Sequence, residues 1–201
     1  MNNIPKIRYP QFKDPWEQRK LGEVFDLGVP NNTYSRAQLS SEGDIKNIHY
    51  GDVLTKYPSV LDVQQPEIPY VSVEIDKDLS NGYLYDGDII LADTAEDETA
   101  GKVTEVRNIR QDKVVSGLHT IVLRPFEEFA EGYLGNYLNA PAYHKQLMPL
   151  LQGIKVYSLS KSNLQKTEIS YPGFDEQAQI GRLFQNLDDH ITLHRRNFVV
   201  H

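Results

Sequence analysis

Residues 176–201, EQAQIGRLFQNLDDHITLHRRNFVVH, decide how this chain is built. The apolar positions Ile180, Phe184, Leu187, Ile191 and Phe198, with His194 between the last two, step alternately by four and three. That 3.5-residue period keeps one stripe facing a partner helix. A helix from Glu176 to His201 is about 39 Å long at ~1.5 Å per residue, longer than a small domain is wide. Single amphipathic helices commonly fold back onto their own domain; the length here favours a helix that projects and takes a partner. Upstream, GIKVYSLSKSNLQKTEISYP, from Gly153 to Pro172, reads as a polar-basic hairpin that runs into this helix.

A chain of 201 residues suffices for one domain with a sizeable core and an appendage, or for two small domains. Cysteine is absent, which excludes disulfides and thiolate–metal chemistry and fits a reducing cytoplasm. The opening MNNIPKIRYPQF carries no apolar signal stretch, and no run approaches the ~20 residues of a membrane span. The expectation is a cytoplasmic protein with no membrane partner. Net charge is −7, against indiscriminate polyanion binding, yet the charge is segregated. From Tyr143 to Thr167 four lysines (Lys145, Lys155, Lys161, Lys166) meet no carboxylate. From Asp86 to Glu98 six carboxylates (Asp86, Asp88, Asp93, Glu96, Asp97, Glu98) meet no base. Such segregation favours orientation toward phosphates over raw affinity, although ordinary solvated surface has the same look.

The chain reads as an α+β body followed by a helical stem. Asp14 as cap, Pro15 in the first turn and Trp16–Leu21 predict a short helix stopped by Gly22. A Pro/Asn/Ser-rich loop covers Gly28–Ser41, and strand-like runs follow at Ile45–Tyr50, Ile68–Val73, Ile89–Ala92, Lys102–Val106 and Leu118–Leu123. Gly51-Asp52-Val53-Leu54 and Gly87-Asp88-Ile89-Ile90 look alike, as turn-to-strand devices rather than a repeat. Helical spacing returns at Phe126–Leu138 and Ala142–Leu151, and Gly153 ends the second helix. Val156–Ser160 reads as a strand or an extended loop, and Thr167–Tyr171 as the last strand. Pro172-Gly173 breaks the chain before Asp175 caps the long helix and Glu176 complements its positive end.

Three stretches in order resemble the DNA-specificity (S) subunits of type I restriction-modification systems. They are IPKIRYPQFKDPWEQRKLGEVFDL, then GDIILADTAEDETAGKV with VVSGLHTIVLRP, and the tail GIKVYSLSKSNLQKTEISYPGFDEQAQIGRLFQNLDDHITLHRR. The resemblance implies an N-terminal arm at 1–13, a target recognition domain at 14–172, and a coiled-coil-type helix at 173–201. It also implies that the chain corresponds to the N-terminal half, one domain and one helix, of a subunit that carries two of each. In that family the helices pack antiparallel, hold the domains apart and serve as docking rails for methyltransferase (M) subunits. The implied partners are double-stranded DNA, M subunits, the restriction (R) subunit through the complex, and a second copy or second specificity half. S-adenosylmethionine is expected on the methyltransferase, with no cofactor and no metal in this chain.

Reading DNA needs phosphate donors and side chains that present donors and acceptors to a groove edge. The Gly153–Gln165 segment offers Lys155 and Lys161 for phosphates, with Tyr157, Ser158, Ser160 and Asn163 for positioning or reading; Lys166 just beyond it joins them, as does Lys102 from a second basic stretch with Arg107, Arg110 and Lys113. Four phosphate contacts give a salt slope of only about −3.6, so one domain alone binds weakly. The alternative is a core hairpin whose serines satisfy local backbone. His49 and Tyr50 sit at a strand end, where packing competes with groove contact. Thr94, Glu96 and Asp97 form either a solvated loop or a carboxylate that accepts from cytosine N4, and His119-Thr120 reads as structural. The seam residues Ile180, Phe184, Leu187, Ile191, His194 and Phe198 form the expected helix interface. Neither a Gly-rich cofactor loop nor a Gly-Lys-Ser/Thr loop is present, and Asn139-Ala140-Pro141-Ala142-Tyr143 lacks the paired prolines of an adenine methyltransferase. A carboxylate site on Asp88, Asp93 and Glu98 lacks a positioned lysine. The expectation is a non-catalytic DNA reader, and the rival is a helix-docking or decoy half that assembles without reading DNA.

Overall fold

Both faces of one sheet are buried, and the residues that form it show why. A computed structural model describes residue 5 and residues 8–65, 67–72 and 78–198. The chain runs through β1 (Glu17–Lys20), α1 (Leu21–Val24), β2 (Phe25–Asp26), β3 (Leu39–Ser40), β4 (Ile45–Ile48), α2 (Tyr50–Thr55), β5 (Val60–Asp62) and β6 (Tyr70–Val71). It continues through β7 (Ile89–Ala92), β8 (Thr94–Ala95), β9 (Val103–Arg107), β10 (Lys113–Ser116), β11 (Thr120–Pro125), α3 (Tyr133–Asn139) and α4 (Pro141–Leu147). It ends with β12 (Tyr157–Ser158), α5 (Lys161–Leu164), β13 (Glu168–Tyr171) and α6 (Phe174–Phe198).

The central five-stranded sheet has the order β2-β11-β7-β9-β5, antiparallel except for the parallel β5–β9 pair. Alternate residues of a strand point to opposite faces. Ile89, Leu91, Ile121, Leu123 and Val103 therefore join one core, with Tyr133, Leu138, Tyr143 and Leu164 from the helical side. Their neighbours Ile90, Ala92, Val122 and Val106 join a second core with Ile48, Val53, Tyr57 and Val114. A sheet covered on both sides reads as continuous apolar sequence, which accounts for the runs Ile89–Ala92 and Ile121–Leu123. The second layer is a four-stranded sheet, β10-β4-β6-β3.

Several expectations from the sequence give way to tertiary pairing. Residues 17–20 are not helical: they form β1, antiparallel to β13 from Glu17↔Tyr171 to Lys20↔Glu168, and Gly22 lies inside the short α1 that follows. The Gly153–Pro172 segment is not a hairpin, because its ends go to different partners, β12 to β8 and β13 to β1. Between them α5 begins at Ser160, whose side chain accepts from the Asn163 N–H as an N-cap. Gly51–Leu54 is helix, not strand. Helix replaces only the last part of Phe126–Leu138: Gly132, at φ 75°, starts α3, and Phe129 packs into the core instead. Val73, at the end of one expected strand, and the side chain of Phe198, at the end of the seam, lie outside the described residues, as do residues 199–201.

The root of α6 is held tightly and its remainder is not. Arg8 donates Nε and Nη2 to Glu176 Oε1 and Oε2, both at 2.7 Å, with the Glu176 side chain 2% exposed. Gln177 accepts from the Ala130 N–H at 3.1 Å and donates to the Pro172 carbonyl at 2.8 Å. At Gly181 a Cβ would stand 2.3 Å from the Glu131 carbonyl, so only glycine lets the helix cross the 131–133 turn this closely. From Arg182 to His194 every residue is exposed, including Leu183, Phe184, Leu187, Ile191 and Leu193. Among the described residues no helix is long and apolar enough to cross a membrane.

Candidate nucleic-acid interface

Four separated segments meet at one end of the central sheet. In β11 and β7, Thr120 lies opposite Ala92, so the residues just beyond them, His119 and Asp93, are neighbours; the Asp93 N–H donates to the His119 carbonyl at 3.1 Å. The β8–β12 ribbon extends this edge, with Ser158 opposite Thr94, Tyr157 opposite Ala95, and the Leu159 N–H donating to the Asp93 carbonyl at 2.8 Å. On the other side α2 brings Tyr50, whose ring meets His119 edge-on at 5.3 Å. These pieces surround a cleft of about 600 Å³ lined by Tyr50, Leu54, Thr94, Glu96, His119 and Val156.

His49 serves the cleft from beneath. It is buried, it caps α2 by accepting the Gly51 N–H on Nδ1 at 3.1 Å, and its ring lies 4.8 Å from that of Tyr50. Burial, then the nearby Arg36 charge, holds its imidazole below the ordinary value. The charged or titratable groups around it are Arg36, Asp52, His119 and Lys56. Burial alone would raise Asp52, but hydrogen bonds from Arg36 and Lys56 outweigh it and hold the carboxyl below its usual range. A histidine with a lowered folded value contributes stability that is full above its unfolded value, about 6.5, and lost as pH falls through the folded value. The thermal midpoint should therefore start to fall below about pH 6.5, and His49→Asn, which keeps a cap acceptor, should flatten that limb in melting curves across pH. An identical limb in the variant would assign it to another group.

The structure sorts the candidate residues by what already occupies them. Lys155 is exposed beside Val156 on the cleft rim, and Lys166 is exposed on the turn before β13. Lys161 donates to the Leu27 carbonyl at 2.7 Å, and half-buried Lys102 to the Leu54 carbonyl at 2.9 Å, where burial lowers its ammonium. Ser160 and the Asn163 backbone are engaged in the α5 cap; Tyr157 and Ser158 stand on the ribbon beside Thr94, with the Ser158 hydroxyl donating to the Gln152 carbonyl at 3.4 Å. Arg107 pairs with Glu105, and Arg110 donates to Asn108. His119, expected to be structural, is exposed in the cleft, while Thr120 is the buried partner of Ser116 and the Gly117 carbonyl. The imagined carboxylate site does not assemble: Asp88 is buried against Arg124, and among the described residues no group of His, Asp and Glu is arranged to hold a metal ion. The Arg36–Asp52–Lys56 network was missed, since nothing in Asp52's sequence context marks it as buried.

A second cleft, of about 650 Å³, lies between α6 and the open edge of the sheet and is acidic, with Asp62, Asp86, Glu131, Asp188 and Asp189. The two clefts differ in chemistry: one joins the hydroxyl and imidazole groups of Tyr50, Thr94 and His119 to the carboxylates of Glu96 and Asp97, with the exposed Lys155 beside its Val156 wall, and the other carries five carboxylates against the single cation Arg107.

The family described as type I restriction modification DNA specificity domain matches residues 13–197. A protein of Methanocaldococcus jannaschii assigned as the type I restriction enzyme MjaX specificity subunit is 22% identical over 191 residues, 93% of this chain and 43% of that protein. Among solved structures, the type I restriction-modification system S subunit from M. genitalium aligns with a TM-score of 0.56 at 14% identity, covering 94% of this chain and 42% of its own. The HsdS subunit from Thermoanaerobacter tengcongensis gives 0.56 at 19% identity, covering 94% and 42%. A chain from work on complex assembly and conformational transition of the type I R-M system gives 0.60 at 17% identity, covering 94% and 43%. At these identities the likeness is one of fold, a mixed α/β body. The chain spans less than half the length of each of these relatives.

Proposed function

This chain belongs to the family of type I restriction modification DNA specificity domains, and from that premise we propose that it is a non-catalytic reader of one half of a bipartite DNA site. It positions a methyltransferase, and through the complex a restriction subunit, on that site; the methyl donor S-adenosylmethionine binds the methyltransferase. The observation that carries the reading is the cleft at the end of β7 and β11. There Tyr50, Thr94 and His119 offer hydrogen-bonding edges, with Glu96 and Asp97 as further acceptors, beside the exposed Lys155. Base edges are read by such groups, while lysines outside them hold the phosphates. The acidic cleft beside the middle of α6 disfavours DNA there and so helps fix the orientation.

The target recognition domain is residues 14–172, and the docking helix is carried by α6 (Phe174–Phe198) within the 173–201 segment. The exposed stripe Phe184, Leu187 and Ile191, continued from the packed Ile180, is the face that takes a second specificity helix, from another copy or another half. Methylome sequencing of cells carrying this chain with its methyltransferase tests the reading directly. A modified motif that disappears when the chain is removed is the expected result. Assembly with methyltransferase but no sequence selectivity would favour a decoy half whose only task is helix docking.

The lysine contribution is separable. Lys155→Ala should weaken binding of the assembled complex to all duplexes alike and lower the salt slope by about one unit. Lys161→Ala should act mainly through lost stability, because its ammonium holds the Leu27 carbonyl. Titrations over a range of salt concentrations check both, and an unchanged slope for Lys155→Ala would move the phosphate surface elsewhere.

A further inference from the structure

His119 is held on three sides and open on the fourth. Its backbone lies in the left-handed region at φ 56°, a conformation that histidine tolerates better than most residues with a side chain. The turn beneath is pinned by Thr120, which donates to the Gly117 carbonyl, and by the Asp93 N–H on the His119 carbonyl. Tyr50 packs edge-on against the ring at 5.3 Å. On the remaining side Nδ1 stands 3.4 Å from Thr94 Oγ1 and 3.7 Å from Asp93 Oδ1.

Those two neighbours set the proton. The Thr94 hydroxyl donates its hydrogen to Asp93 Oδ1 at 2.7 Å, so it turns a lone pair to the ring. The carboxylate likewise has only lone pairs to offer. Both groups favour the tautomer with hydrogen on Nδ1, which leaves a lone pair on Nε2. Nε2 has no hydrogen-bond partner among the described residues, and the side chain is 46% exposed at the cleft.

We infer that His119 is a base-reading residue of this cleft, oriented by Asp93 and Thr94, and that Nε2 accepts from an exocyclic amino group, adenine N6 or cytosine N4, in the major groove. The inference rests on the DNA-reading function proposed above and names one of its specificity determinants. The oxygens of guanine O6 and thymine O4 would face the Nε2 lone pair and be rejected. His119 is thus a discriminator between amino and carbonyl edges at one base pair, and Asp93 is a positioning residue.

The test compares the assembled complex carrying the natural chain, His119→Gly or Asp93→Asn, each selecting from a pool of randomised duplexes and each melted separately. Glycine suits φ 56°, so His119→Gly removes the ring without straining the turn. Discrimination at one base pair, in favour of A or C on one strand, should fall about tenfold in His119→Gly, the scale of one lost base-edge contact. It should fall by less in Asp93→Asn, with affinity for arbitrary sequence and melting temperature maintained in both. An unchanged motif in His119→Gly overturns the assignment and leaves the DNA-reading function standing. A uniform loss of affinity across all sequences also overturns it, because His119 would then be an anchor rather than a reader. If the natural complex selects no sequence at all, the function proposed for the whole domain falls with it.

Discussion

Replacing both Leu187 and Ile191 with Asp is expected to yield a folded chain that no longer self-associates or assembles productively with methyltransferase. Both side chains are about half exposed, at 47% and 49%, on a helix stretch with no buried residue, so the substitutions remove nothing from the domain's own core. Covering a Leu or Ile is worth roughly 1.5–3 kcal/mol, and two such positions dominate a modest helix pair. Placing carboxylates there adds a desolvation cost to any pairing. The stripe is wider than a strict heptad seam, because Leu183 lies beside it at 45% exposure. Sedimentation should show association of the natural chain at high micromolar concentration and a monomer for the variant, with unchanged circular dichroism. A monomeric natural chain, together with a double variant that still supports methylation in cells, would sink the docking role of α6.

Glu105→Ala is expected to cost roughly 3–5 kcal/mol of stability, the range for removing one partner from a buried charged network. The carboxylate of Glu105, on β9, is 1% exposed and pairs with Arg107. It also accepts the N–H groups of Gly132 and Gly135, both at 2.8 Å. Gly132 opens α3 and has no side chain to cap it, so Glu105 performs that task from a neighbouring strand. Loss of the carboxylate leaves two buried donors and one cation without their partner. The damage should travel, since the same turn receives α6 at Gly181. Urea unfolding measures the loss, and Glu105→Gln, which keeps an acceptor, should fall between the two. A cost under about 1 kcal/mol for the alanine variant would mean that water or a relaxed turn replaces the cap.

Some of this molecule could be read in one dimension. The run Ile89–Ala92 has the bounds of β7, because a strand buried on both faces needs no alternation that a turn could disguise. The long helix was legible from period alone, and its start from the Pro172-Gly173 break; Asp175, expected as the cap, lies instead in the first turn after Phe174, and the Gly173 carbonyl takes the first helical bonds. The family was legible because three motifs kept their order. The helix expected at Trp16–Leu21 failed for a specific reason: local propensity is a weak preference, and β13, some 150 residues away in sequence, offered β1 a ladder of backbone bonds. The 153–172 hairpin failed in the same way, with β8 and β1 capturing its two ends.

The site divides along the same line. His49, Tyr50, Thr94, Glu96 and His119 could each be picked out by residue type, but not as a group, because nothing in their spacing says that α2, β8 and the turn before β11 share one end of a sheet. Burial then settled one reading, in which packing and groove contact competed, and reversed another. His49 became a helix cap, and His119, taken for structure, became the exposed ring in the cleft. Lys161 and Lys102 were legible as charges but not as ammonium groups already bound to carbonyls. Periodicities, and with them the buried runs and the amphipathic stem, are written along the chain, since they depend only on repeats of two or 3.5 residues. Which side chains share a cleft, and which cations are already bound to carbonyls, follows from folding, because both depend on partners brought together from distant parts of the chain.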